Sequence, residues 1–120
     1  MRTGDGVLIG GFVVQGPAYK RMLIRAVGPT LGLFGVAGAL ADPVVVVNST
    51  QTVVASNDDW SSAGASTVAA ASASVGAFAL PAGSKDAALL ITLPPGAYTI
   101  VVSGKNDTEG VALLEIYEVP

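Results

Sequence analysis

The chain contains no cysteine and no histidine. Without cysteine there is no disulfide framework and no thiolate nucleophile. Without histidine the commonest general base and the commonest transition-metal ligand are gone. Any catalysis would have to rest on carboxylates, lysine or hydroxyls. Charge is scarce as well. Six basic and nine acidic residues give a net charge of -3, and charged residues are 12% of the chain, about half the usual share of a globular domain. Only Lys20, Arg21 and Arg25 cluster among the cations, too small a footprint for a nucleic-acid partner. Long apolar runs are missing too. The uncharged stretches Ala26 to Ala41 and Trp60 to Ser84 are interrupted by Pro29 and by glycine, serine and alanine. Neither offers the roughly 20 continuous apolar residues of a membrane span. The opening Met-Arg-Thr-Gly-Asp-Gly lacks the pattern of a signal peptide, so an extracellular placement implies a leader outside these residues.

What is present is apolar and finely punctuated. Hydrophobic residues are 51% of the 120, with 15 glycines and seven prolines spread along the length, and the mean hydropathy is +0.61. A chain of this size buries roughly two-thirds of its unfolded surface as one domain. With so few charges, its surface is covered either by Ser, Thr, Asn and Gly or by a partner.

Short runs of Val, Ile, Leu, Thr and aromatics between turn residues predict strands. They are expected at Val7–Val14, Lys20–Val27, Val44–Val47, Gln51–Ser56, Phe78–Leu80, Asp86–Leu93, Ala97–Ser103 and Val111–Val119. Gly10 and Gly11 inside the first suggest a bulge or a close backbone approach. The four valines Val44 to Val47 suggest a strand buried on both faces, or one with a face against a partner. The apolar loop Thr30 to Ala41 is expected to plug one end. The Ala/Ser-rich stretch Ser61 to Val75 permits a short helix, but its Ser and Gly favour irregular structure. The reading is an all-β fold: one antiparallel β-sandwich domain over residues 1–120, of about eight strands and jelly-roll-like.

Six segments carry a resemblance. They are Val7-Leu-Ile-Gly-Gly-Phe12, Leu23-Ile-Arg-Ala-Val-Gly-Pro29, Ala41-Asp-Pro43, Ala55-Ser-Asn-Asp-Asp-Trp60, Leu93-Pro-Pro-Gly-Ala-Tyr-Thr99 and Gly110-Val-Ala-Leu-Leu-Glu-Ile-Tyr117. In this order the chain resembles a recurrent module of large secreted and surface proteins of environmental bacteria. In style it is also similar to the bacterial pre-peptidase C-terminal domain, a jelly-roll-like β-sandwich. The resemblance covers essentially the whole chain. It implies an extracellular, non-catalytic accessory or structural module, and it supplies no catalytic residues. Where the pre-peptidase type continues with further acidic residues, this chain continues with Ser61-Ser-Ala-Gly64.

Several residue groups invite a functional reading. Asn57, Asp58 and Asp59 are the candidate metal ligands, for calcium, which takes six to eight oxygen ligands from such loops. Asp42, Asn106 and Asp107 join them only if the fold gathers their loops; otherwise Asn57 to Asp59 are turn residues that bond their own backbone. Asp58 and Asp59 as a glycosidase pair fail on geometry, because adjacent strand residues face opposite ways. Ser84, Lys85 and Asp86 read as a solvated turn rather than a serine–lysine centre. Arg21 and Arg25 share a strand face and bind either an anionic ligand or Glu115 or Glu118 across the strand. Trp60, with Tyr19, Tyr98 and Tyr117, is the candidate glycan-stacking set; Trp60 is expected to be exposed and Tyr98 to lie in the core. Asn48-Ser-Thr and Asn106-Asp-Thr match the N-glycosylation pattern, which has meaning only in a eukaryotic secretory setting. The leading expectation is a non-catalytic extracellular structural module that self-associates through apolar strands into a surface array or filament, with copies of itself as partner. The alternative is an accessory module for calcium or glycan at Asn57 to Trp60.

Overall fold

A computed structural model describes residues 8–50, 52–107 and 110–120; Met1 to Val7, Gln51, Thr108 and Glu109, on which parts of the expectations above fall, lie outside it. Seven strands form: β1 (Leu8–Val14), β2 (Lys20–Val27), β3 (Pro43–Ser49), β4 (Thr52–Asn57), β5 (Ala87–Leu93), β6 (Gly96–Gly104) and β7 (Leu113–Val119). They make a four-stranded sheet, β1-β6-β3-β4, facing a three-stranded sheet, β5-β2-β7. All strand pairings are antiparallel. Of the connections between consecutive strands, only the β3–β4 hairpin stays within one sheet. The rest cross over, so the chain wraps around a single interior.

That interior follows from two-residue periodicity. Met22, Ile24 and Ala26 point inward from β2, and Tyr98, Ile100 and Val102 from β6. Val45 and Val47 of the valine run join them, as do Leu89 and Leu93. Tyr98 is buried as expected; its hydroxyl donates to Pro94 O at 2.6 Å, which satisfies its polar end. The β1–β6 register runs unbroken through Gly10 and Gly11. There is no bulge, and the glycine answers to a close approach instead: a Cβ on Gly10 would stand 2.8 Å from Leu114 Cδ2 of the opposite sheet.

The strand count is seven rather than eight, because Phe78 to Leu80 is not a strand. The backbone of this segment is held by side chains instead of a neighbouring ladder. Arg25 Nη1 donates to Phe78 O at 2.7 Å, and Trp60 Nε1 donates to Pro81 O at 3.1 Å. The Ala/Ser-rich stretch, expected to be irregular, forms a helix, α1 (Ala65–Ser74). Its alanines favour helix, and Val68, Ala71 and Ser72 are the residues it buries. Packing on the sheet holds it, since so short a helix is marginal alone.

α1 lies on the outer face of the three-stranded sheet. With the turn Pro29–Phe34 and the turn Trp60–Ala63 it closes a second apolar layer there. Leu23, Val27, Ala88 and Val119 from the sheet meet Leu31, Trp60, Val68, Ala71 and Leu80 from the cover. β2 is therefore buried on both faces from Met22 to Val27. The Thr30 to Ala41 loop, expected to plug one end, joins this cover through Leu31; Leu40 is also buried, while Leu33 and Phe34 are exposed. Among the described residues no helix is long and apolar enough to cross a membrane.

Candidate functional site

The end of β4 away from its hairpin with β3 places the predicted acidic group at one corner of the sandwich. The turn after β6 comes to the same corner, where Lys105 N donates to Asp42 O at 2.9 Å. The loops of Asp42, Asn57 to Asp59 and Lys105 to Asn106 are thus gathered, as a shared site requires. Their side chains, however, are largely engaged within the chain. Asn57 Oδ1 accepts from Ala88 N at 3.2 Å and its Nδ2 donates to Ser62 Oγ at 3.1 Å, so Asn57 ties the β4 edge to β5. Lys105 Nζ stands 2.5 Å from Asp58 Oδ2, and this hydrogen bond holds the Asp58 carboxyl below its ordinary value of 3.8. Asp42 moves the other way: burial, then the neighbouring Asp59 charge, raise its carboxyl above 3.8. Its Oδ1 is buried with no hydrogen-bond partner among the described residues. The Lys105 ammonium group therefore sits against one oxygen of Asp58. Among the described residues no three acidic, His or Cys side chains converge as a metal set.

Trp60 is not the exposed aromatic that its acidic neighbours suggested. It is 5% exposed, drawn into the layer beneath α1 by the bond of its indole N–H to Pro81 O. Its face is spent on packing, and Tyr98 is in the core. Of the proposed stacking set, Tyr19 is openly exposed. An apolar cavity of about 90 Å³ lies between Trp60, Val68, Ala73 and Leu80, and none of its lining side chains titrates.

Asp86 corrects the solvated-turn reading of Ser84-Lys85-Asp86. It is fully buried. Its Oδ1 accepts from Gly28 N at 2.8 Å and Thr30 N at 3.2 Å. Its Oδ2 accepts from Thr30 Oγ1 and, at 2.6 Å, from Ser84 Oγ. A carboxylate so surrounded by donors anchors the β2–β3 connection to the start of β5. It has no accessible oxygen for chemistry.

Arg25 resolves in favour of the cross-strand pair. It is fully buried beneath the α1 cover, with Nε 2.9 Å from Glu115 Oε1. The Phe78 ring centroid lies 4.5 Å from its guanidinium carbon, a cation–π contact. Tyr117 OH donates to Glu115 Oε2 at 2.9 Å. Burial, followed by this bond and the Glu115 charge, raises the phenol above 10.0. At the strand's other end Lys20 Nζ stands 3.7 Å from Glu118 Oε2.

The region that remains without a role inside the chain is the outer face of the four-stranded sheet. Alternation puts Val44 and Val46 there while Val45 and Val47 are fully buried. One cross-strand row reads Ile9, Val101, Val46, Ser56, and the next reads Gly11, Thr99, Asn48, Val53. None of these side chains is charged. Ile9, Val13 and Val53 are each more than 60% exposed, at 62%, 61% and 61%. The valine run is thus half core and half a partly exposed sheet face. Comparison with protein-family models, curated proteins and solved structures gave no match.

Proposed function

We propose that this chain is a non-catalytic structural module that self-associates, serving as a unit of an extracellular or cell-surface array or filament. The observation that carries the reading is the uncharged outer face of the four-stranded sheet, bounded by two edge strands. The same chain devotes a helix and two turns to covering the other sheet. An open, uncharged, valine-bearing face is the kind of surface that marks an interaction site. The non-catalytic part rests on the chemistry of the polar groups. Asp86, Arg25 and Glu115 are consumed by structural bonds, and the cavity beside Trp60 offers no acid, base or nucleophile of ordinary strength. The extracellular setting rests on the resemblance to secreted bacterial modules.

Calcium or glycan binding at Asn57 to Trp60 is less well supported. In its favour, Asp42, Asp58 and Asp59 share one corner. Against it, Lys105 already neutralises Asp58, and Trp60 is buried.

Light scattering across a concentration series, with negative-stain microscopy, tests the proposal. Growth into regular assemblies is expected. A monodisperse species of 11.9 kDa at every concentration would refute it.

A further inference from the structure

We infer that the contact between copies is strand β1, which pairs antiparallel with β1 of a second copy and joins two four-stranded sheets into one of eight strands. This inference rests on the self-association reading and names the surface that performs it.

Four strands stand at sheet edges: β1, β4, β5 and β7. Edge strands expose unpaired backbone donors and acceptors, and folds guard them with charge, proline, bulges or cover. Two of the four are guarded, and a third, β5, is held at its start. β4 has a register shift against β3 at Val47/Asn48, and Asn57 at its end bonds to Ala88 of β5. That bond occupies β5 as well, next to the Trp60 N–H bond to Asp86 O at 2.8 Å. β7 carries Glu115 and Glu118. β1, with the sequence Leu-Ile-Gly-Gly-Phe-Val-Val, has neither charge nor proline. It is paired through all seven residues with β6 without a bulge, and among the described residues no strand lies on its other side.

The side chains of β1 are also self-complementary. A two-fold axis through Gly11 sets Ile9 opposite Val13 of the second copy, and Gly10 opposite its Phe12. Ile9 and Val13 are 62% and 61% exposed and share the uncharged face, so the pairing supplies each with a β-branched cross-strand neighbour. The contact is isologous and closes as a dimer. Growth beyond the dimer falls to the outer sheet face.

The experiment compares wild type with Val13→Lys, Thr99→Lys on the sheet face and Val53→Lys on β4, by sedimentation and by hydrogen exchange at low and high concentration. Wild type is expected to form a species of twice 11.9 kDa as the first step of assembly, with β1 amides slowing as concentration rises. Val13→Lys is expected to raise the dimer Kd by about tenfold or more, with a melting temperature unchanged at dilutions where both proteins are monomeric. Dimerisation that survives Val13→Lys but fails in Thr99→Lys or Val53→Lys overturns the β1 contact and leaves self-association standing. A wild-type monomer at all concentrations overturns self-association itself. Should Val13→Lys fold poorly, the wild-type exchange data decide: β1 amides indifferent to concentration in an assembled protein overturn the inference.

Discussion

The two sheets differ most on their outer faces. The three-stranded sheet has its outer face roofed by α1, the Pro29–Phe34 turn and the Phe78 to Leu80 segment. It accordingly tolerates a buried charge pair, Arg25–Glu115, beneath that roof. The four-stranded sheet has no roof among the described residues, and its outer face carries no charge; it bears Ile9, Val13, Val44, Val46, Val53 and Val101 with small residues. A bare sheet is ordinarily kept soluble by lysine and glutamate. Here the pair Arg25–Glu115 lies under the cover, and uncharged side chains such as Ile9 and Val13 lie in the open. The proposal of self-association rests on this contrast.

The largest effects are expected under the roof. Glu115→Ala leaves the Arg25 guanidinium buried and without its carboxylate, and should cost about 3–5 kcal/mol in denaturant unfolding. Replacing both partners, Arg25→Met with Glu115→Leu, should recover most of that loss, because the desolvation cost disappears with the charges. If the single and double variants lose equal stability, the roof is held by packing alone. Asp86→Ala follows. It strands the Gly28 and Thr30 amides without an acceptor, each worth about 1–3 kcal/mol when left buried and unpaired. Urea midpoints measure it. Matched truncations then set one face against the other. Leu23→Ala, at a fully buried site, should cost about 2–5 kcal/mol. Ile9→Ala, at a site 62% exposed, should cost less than about 1 kcal/mol in the monomer. A large loss at Ile9 at high dilution would mean that the open face is stabilised from within the chain.

The same contrast explains what could be read from residues alone. β2 from Lys20 to Val27 and the inward set Tyr98, Ile100 and Val102 were legible because strand periodicity is written in adjacent residues. The Arg25–Glu115 pair was legible because opposite charges on neighbouring strands seek each other. The roof was not legible. Asp86 draws its partners from Gly28 and Thr30, more than fifty residues away, and nothing near it in sequence announces burial. Trp60 is buried by Pro81 and α1, and α1 offers a single valine as an apolar signal. Phe78 and Leu80 look like a strand because they alternate with alanine, yet Arg25 takes the Phe78 carbonyl and Trp60 that of Pro81 just beyond. At the acidic corner, residue type picked out Asn57 to Asp59 as a polar cluster. It gave no sign of Lys105, which arrives from the far end of β6.

The smallest effect is expected at that corner, and its sign discriminates between the two readings of it. Asp58 is held below 3.8 by Lys105. Its contribution to stability is therefore present above pH 3.8 and lost as pH falls through its folded value. Asp42 is raised above 3.8 by burial and by Asp59. The native state takes up this proton before the unfolded chain does, so stability falls as pH rises through that window. Asp42→Asn should accordingly raise the melting temperature at neutral pH and leave it unchanged in acid, whereas Asp58→Asn should lower it slightly at neutral pH. Calcium should move neither curve while Lys105 holds Asp58. A calcium-dependent rise in melting temperature that vanishes in Asp58→Asn would instead make the corner a cation site, with Lys105 displaced. The open sheet face would then share the function with a ligand at the opposite concentration of charge.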